Sequence, residues 1–195
     1  MGRRAEVRRK TAETDIVAEI NIDGAGKYEI NTGIGFFDHM LELFSRHGLF
    51  DLKVNAQGDI TVDGHHTVED VGISLGQALK DALGDKKGIR RYGTSFVPMD
   101  EALAMTAVDV SGRPCLVFEA EYTSEKVGGM DTELVEEFLR AFVNNAGLTM
   151  HVKVLHGSNN HHIIEAIFKS LARALDEATA VDSRIDGVMS TKGIL

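Results

Sequence analysis

The chain has 195 residues, of which 43% are hydrophobic and 26% charged, a balance typical of a folded soluble domain. Its formal net charge of -9 gives no reason to expect a nucleic acid or an anionic membrane as a partner. The sequence contains no run of about 18 apolar residues, the length that would predict a membrane span. A single cysteine, Cys115, excludes an internal disulfide and is typical of a reducing compartment. We therefore expect a cytoplasmic protein.

The first elements in chain order are predicted strands. The basic stretch GRRAEVRRK is interrupted by Glu6 and followed by no apolar segment, so it predicts a polar strand rather than a nucleic-acid arm or a targeting signal. ETDIVAEINIDG alternates polar and apolar residues with a period of two and ends in a glycine turn, as half-buried strands do. FFDHMLELFSRHGL has helical spacing, LFDLKVNA predicts another strand, and HHTVEDVGISLGQAL predicts a second helix that Gly84 closes.

The same order of predicted strands and helices occurs twice in the chain. ETDIVAEINIDG aligns with EALAMTAVDVSG at an offset of 88 residues, which places Glu13 on Glu101. The first predicted helix aligns with LVEEFLRAFVNNAGL at an offset of 98, which places His39 on Glu137. GHHTVED aligns with NHHIIEA at an offset of 96. A whole supersecondary unit is therefore repeated, not a single motif.

Two homologous halves are predicted, residues 1–88 and 89–186, followed by a tail, residues 187–195. Each half would contain strands, an amphipathic helix, a strand, and a second helix that the histidine pair opens. Because the chain has only 2 prolines and no linker-like segment between the halves, we expect one compact, internally duplicated α+β unit. Its helices would pack on mainly antiparallel sheets.

The repeated H-H-x-x-E motif predicts a site for two metal ions. Residues on a helix advance by about 100°, so the glutamate lies near both histidines while the histidines point away from each other. Neighbours that diverge are poorly placed to chelate one ion, and we expect each pair to serve two different ions. The predicted ligands are His39, His65, His66, Glu69, Glu137, His161, His162 and Glu165.

This ligand set indicates which metals the site would take. Imidazole and carboxylate groups without a thiolate suit Mn²⁺, Fe²⁺ or Zn²⁺. Eight groups shared by two ions give about four ligands each, and the open positions of a six-coordinate ion favour manganese.

Basic residues near the motifs predict an anion-binding region. Lys169 lies one helical turn beyond Glu165, so it should face the same way as that predicted ligand. The closing STKG segment offers hydroxyls, an ammonium and a free backbone N–H, a composition that suits phosphate. Arg91 in GIRRYG and Arg113 in SGRP are further candidates.

The motifs RKTAETDI, GFFDHML, HGLFDL, DGHHTVEDVGISLGQAL, SGRP, NNHHIIEAIFKSLARAL and STKG together resemble imidazoleglycerol-phosphate dehydratase almost from end to end. The resemblance implies a duplicated βαββα-type α+β fold, of the ribosomal protein S5 domain 2-like kind. It also implies an octahedral homo-oligomer of about 24 subunits, with active sites between subunits that hold two Mn²⁺ ions each. The implied reaction removes water from D-erythro-imidazole glycerol phosphate to give imidazole acetol phosphate in histidine biosynthesis.

The resemblance also assigns roles to single residues. It makes the predicted ligands named above metal ligands, although many family members carry a histidine where this chain has Glu137. Carboxylate oxygen can replace imidazole on manganese, so Glu137 is kept as a ligand. The implied catalytic residues are Glu13, Glu69 and Glu165. The implied substrate contacts are Glu13, Arg91, Arg113, Lys169, Ser190, Thr191 and Lys192.

The chemistry of the substrate suggests why such a site is needed. The hydrogen lost from C2 has no neighbouring carbonyl, so the imidazole ring must provide the activation. We expect a manganese-bound imidazolate to expel the adjacent hydroxyl and give a diazafulvene-type intermediate that loses the C2 proton. Glu13, a carboxylate expected on an early strand without a metal role, is the candidate acid and base.

Two other functions are compatible with the ligand set alone. A dinuclear hydrolase acting on a phosphate ester would use a bridging hydroxide, although such sites usually carry more aspartates. A metal-storage cage would need ligands and self-association, but no basic residues beside the ions.

Overall fold

A computed structural model describes residues 2–195. The first half contains β1 (Arg4–Lys10), β2 (Thr14–Asn21), β3 (Tyr28–Asn31), α1 (Gly35–Gly48), β4 (Asp51–Gly58) and α2 (His65–Leu83). The second half contains β5 (Tyr92–Met99), β6 (Ala102–Asp109), β7 (Cys115–Glu119), β8 (Lys126–Val127), β9 (Met130–Asp131), α3 (Leu134–Ala146), β10 (Thr149–His156) and α4 (Asn160–Thr179). None of the helices in this described range is long and apolar enough to cross a membrane.

Each half forms a four-stranded sheet of the same topology. The strand orders are β1-β2-β4-β3 and β5-β6-β10-β7, and in each sheet two of the three strand pairs are antiparallel. The predicted α+β class, the duplication and the mainly antiparallel sheets are confirmed. The elements of each half follow the order βββαβα rather than βαββα, apart from the small β8–β9 hairpin. An N-terminal hairpin precedes the unit β3–α1–β4, whose parallel strands require a helical crossover between them.

The four helices lie between the two sheets. The alternation predicted for β2 places Ile16, Ala18 and Ile20 on the inner face, where α2 covers β1 and β2. In the second half α4 covers β5 and β6 in the same way. The helices also pair across the halves, α1 with α4 and α2 with α3, so that one apolar core contains residues of both. The exact boundaries of the halves and of the tail stay a prediction.

Small residues allow α2 and α3 to approach closely. A Cβ atom added at Gly76 would lie 2.5 Å from the carbonyl oxygen of Phe142, and one at Gly72 would lie 2.8 Å from that of Phe138. Contacts this short with backbone atoms cannot be relieved by a side-chain rotation. The two halves are therefore held together at a distance that only glycine permits.

We expect Gly76→Ala to lower the free energy of unfolding by about 1–3 kcal/mol, because overpacking outweighs the gain in helix propensity. Urea denaturation followed by circular dichroism measures the change. Gly35→Ala is the matched control, since a Cβ there meets no atom within 4 Å. Equal stability of the two variants would contradict the proposed role of the α2–α3 contact.

Candidate active site

One cluster of predicted ligands forms where α1 packs against α4. The Nε2 atoms of His39 and His161 lie 3.0 and 3.1 Å from Oε1 of Glu165. Nζ of Lys169 lies 2.5 Å from Oε2 of the same glutamate. The predicted alignment of Lys169 with Glu165 along one helix face is confirmed. Each half of the chain therefore contributes to this cluster, His39 from the first and the other three residues from the second.

Glu165 is the electrostatic centre of this cluster. Its side chain is buried, which alone would raise the pKa of its carboxyl. Hydrogen bonds from Lys169, His39 and His161 outweigh burial and lower this pKa to about 2. The Glu165 carboxylate is therefore ionised at neutral pH and lies beside two imidazoles in the folded chain.

The cluster fits a divalent metal ion. His39, His161 and Glu165 each offer a ligand atom, and these atoms all lie within 4.8 Å of one another. Among residues 2–195 this is the only group of three such side chains. Two imidazole nitrogens and one carboxylate oxygen suit Mn²⁺, Fe²⁺ or Zn²⁺.

The repeat-related residues lie where α2 packs against α3. His65 and Glu137 line a cleft of 340 Å³ together with Glu133, Glu136 and Arg140. Glu69 lies one turn beyond His65 on α2. These residues do not converge as their counterparts do, and the eight predicted ligands are not gathered at one point of the chain. Whether Glu137 binds metal stays a prediction.

The second histidine of each pair points away from the first, as predicted. The ring centroids of His65 and His66 are 6.2 Å apart with an interplanar angle of 89°, and those of His161 and His162 are 6.1 Å apart at 84°. Each motif therefore presents its two imidazoles in different directions.

Sequence reasoning missed the partners of these outer histidines. Nδ1 of His66 lies 3.1 Å from a carboxylate oxygen of Asp59, and Nδ1 of His162 lies 2.7 Å from Oε2 of Glu101. The alignment of Glu13 with Glu101 could have indicated the second pair. Asp59 lies in the irregular segment before α2, and no pattern in the sequence indicated that it contacts His66.

Glu13 lies in a turn, so its expected position on an early strand is wrong. The hydroxyl of Thr11 accepts hydrogen bonds from the backbone N–H groups of Glu13 and Thr14 and closes the β1–β2 loop before β2 begins. The Glu13 carboxyl is more than half exposed, and its Oε1 lies 3.9 Å from Nε2 of His66. The residue is therefore accessible beside a predicted ligand.

Except for Lys169, which contacts Glu165, the predicted phosphate-binding groups lie together at the end of the second sheet where β5 begins. Arg91 donates to both carboxylate oxygens of Asp109 and to the carbonyl oxygen of Met189. Arg113 lies 3.8 Å from the same aspartate and is largely exposed. The carbonyl contact anchors the tail immediately before half-buried Ser190 and the exposed residues Thr191 and Lys192.

These groups are remote from His162, one of the predicted ligands of the same chain. Arg91 precedes β5, whereas Glu101 and its partner His162 lie beyond the other end of that strand. Because β5 has 8 residues and a strand rises about 3.3 Å per residue, the two ends are about 25 Å apart. Apart from Lys169, which contacts Glu165, the predicted phosphate contacts are therefore far from His162 of the same chain.

The fold and the site define a class, a duplicated α+β protein whose helices carry imidazole and carboxylate groups suited to divalent metal ions. The sequence profile described as imidazoleglycerol-phosphate dehydratase matches residues 32–175. The chain belongs to the imidazoleglycerol-phosphate dehydratase family, so the resemblance of its motifs is confirmed. It is a dehydratase of histidine biosynthesis, and the hydrolase and storage alternatives are wrong.

Relatives match all or nearly all of the chain. The imidazoleglycerol-phosphate dehydratase of Acetivibrio thermocellus is 69% identical over 195 residues, all of both chains. That of Clostridium botulinum strain Langeland is 66% identical over 191 residues, 98% of this chain and 97% of the relative. A crystal structure of the Staphylococcus aureus enzyme has a TM-score of 0.84 and 47% identity, covering 92% of this chain and 99% of its own. The Pyrococcus furiosus enzyme in complex with (S)-C348 has a TM-score of 0.84 and 38% identity, covering 97% and 100%.

Proposed function

We propose that this dehydratase acts with two Mn²⁺ ions bound by its repeated histidine and carboxylate groups. The observation that carries the proposal is the convergence of His39, His161 and Glu165 from two halves of the chain. Bound manganese would supply a Lewis acid that stabilises negative charge on the imidazole ring of the substrate. The remaining predicted ligands, His65, His66, Glu69, Glu137 and His162, would complete the two sites.

Glu13 is our candidate for moving the C2 proton. Its carboxyl is exposed, carries no ion pair with a lysine or arginine among residues 2–195, and lies beside His66. A carboxylate placed in this way can accept a proton from substrate and return it to the product. Glu165 is buried and held by Lys169, so we place it, with its repeat partner Glu69, among the metal ligands rather than the proton carriers. The diazafulvene-type intermediate stays a prediction.

The phosphate end of the substrate would be bound by a neighbouring copy of the chain. Arg91, Arg113 and the tail residues Ser190, Thr191 and Lys192 supply cationic and hydroxyl groups, but they lie about 25 Å from His162 of their own chain. A rigid β-hairpin cannot fold back over that distance. Their separation supports an active site shared between subunits of a large homo-oligomer. We propose that this oligomer has octahedral symmetry. We also propose that the protein is cytoplasmic.

The outer faces of the two sheets support this assembly. At repeat-related positions the first sheet has Glu6, Glu19, Lys53 and Glu29, whereas the second has Thr94, Ala107, His151 and Val117. In the next row Phe96, with 61% of its surface exposed, stands where the first sheet has Arg8. Apolar side chains grouped on one exposed face are typical of an interface. We propose that the second sheet packs against other copies.

Turnover of imidazole glycerol phosphate by metal-stripped protein tests the proposed function. We expect activity to be absent after stripping and to return with Mn²⁺, with the product ketone followed by absorbance. His162→Ala should not recover, because it removes a predicted ligand. Tight manganese binding without turnover would contradict the proposed use of the metal in catalysis.

We expect Glu13→Gln to lower kcat by about 100-fold or more, because the amide cannot exchange the proton. Manganese content, measured by atomic absorption, should stay unchanged, since Glu13 is not a proposed ligand. Asp15→Asn removes a carboxylate from β2, next to the same loop, and should retain activity. Near-normal turnover of Glu13→Gln would exclude the residue as the acid and base.

We expect Phe96→Asp to shift the protein toward smaller species in light scattering after size-exclusion chromatography, because a desolvated charge opposes sheet contact. Arg8→Asp introduces the same side chain at the repeat-related position of the first sheet, and its assembly should be unaffected. An unchanged mass for Phe96→Asp would place the interface elsewhere.

A further inference from the structure

We propose that Asp59 and Glu101 are positioning residues that fix the orientation and tautomer of His66 and His162. Each carboxylate would accept the Nδ1–H of its histidine and leave Nε2 as the outward-facing ligand atom. The inference rests on the proposed metal sites and extends them to two residues outside the ligand set.

The second half shows the arrangement most clearly. Oε2 of Glu101 lies 2.7 Å from Nδ1 of His162, while Oε1 accepts hydrogen bonds from the backbone N–H groups of Ser158 and Asn159 at 3.1 and 2.8 Å. These amides immediately precede α4, the helix that carries His162. The carboxylate is thus fixed to the start of that helix, and the imidazole is fixed to the carboxylate.

The first half reaches the same result with a different residue. Both carboxylate oxygens of Asp59 lie within 3.2 Å of Nδ1 of His66. In both histidines Nε2 has no hydrogen bond within the described chain, and its nearest carboxylates, on Glu13 and Asp100, lie 3.9 and 3.7 Å away. The two halves use different carboxylates to contact Nδ1 in the same way. This agreement indicates that Nε2, which has no hydrogen bond, is the atom that would bind metal.

The chemistry of imidazole explains why a carboxylate is needed. A neutral imidazole carries one N–H, and a carboxylate that accepts it at Nδ1 leaves the lone pair on Nε2. The acceptor also restrains the ring and increases the electron density of the ligand nitrogen. Glu101 and Asp59 are correctly placed for both effects.

Different loop lengths explain why the two halves use different carboxylates. β5 and β6 are joined by a two-residue loop, Asp100 and Glu101, whereas the three residues 11–13 join β1 to β2. The segment before α2, residues 59–64, is longer than the one before α4, residues 157–159. With the longer loop Glu13 stops short of Nδ1, and Asp59 takes the position beside it. The repeat partner of Glu101 is thereby released from a positioning role, and its carboxyl stays exposed.

The test measures Mn²⁺ binding to the full-length, metal-stripped protein without substrate, by electron paramagnetic resonance of free Mn²⁺. We expect Asp59→Asn and Glu101→Gln each to weaken binding by about 10–100-fold, because an amide can donate to Nδ1 and favour the wrong tautomer. Helix content and assembly size should match those of the wild type. Should Glu101→Gln fail to fold, through loss of its backbone contacts, Asp59→Asn decides the question.

Two controls separate orientation of the ring from a general loss of charge. Asp100→Asn removes a carboxylate from the same loop as Glu101, and Asp15→Asn removes an exposed carboxylate next to the β1–β2 loop; both should keep the wild-type dissociation constant. Wild-type affinity in Asp59→Asn or in folded Glu101→Gln, or an equal loss in Asp100→Asn, would overturn the positioning role alone. A wild-type protein that binds no Mn²⁺ would overturn the proposed metal site and this inference with it.

Discussion

The crosswise pairing of helices is the constraint on which the rest of the structure depends. Each half places its first helix against the second helix of the other half, α1 on α4 and α2 on α3. Because His39 and Glu165 lie on different halves, neither half could form the cluster alone. The close contact at Gly76 sets the spacing of α2 and α3, the helices that carry the predicted ligands His65, Glu69 and Glu137, so core packing also determines where these residues lie.

The duplication gives the two halves the same fold, and sequence divergence has since given them different outer surfaces. The inner faces and the helix pairs keep the repeat, because both halves must bury the same kind of apolar surface. The outer faces have separated into one charged sheet and one with grouped apolar residues. The same division appears at the histidines, where Glu101 and Glu13 began as equivalents and now occupy different environments.

Periodicity in the sequence was sufficient to predict the elements, the duplication and the alignment of Lys169 with Glu165. Such features depend on residues a few positions apart, for which helix and strand geometry are known in advance. The contacts of Asp59, Glu101 and Asp109 depend instead on loop lengths and on which strand ends meet. A sequence repeat could align Glu13 with Glu101, but it could not show that a longer loop changes what the side chain reaches.

The separation of metal and phosphate groups has a thermodynamic consequence under the proposed function. Arg91 and His162 lie at opposite ends of the rigid β5–β6 hairpin, so no side-chain motion within one chain can bring them to the same small substrate. A complete site then exists only where two copies meet. Any group that strengthens the contact between copies also raises the fraction of complete sites, and substrate that bridges them stabilises the assembly in return. Catalysis and self-association would therefore be linked equilibria, which gives the apolar outer face of the second sheet a direct bearing on activity.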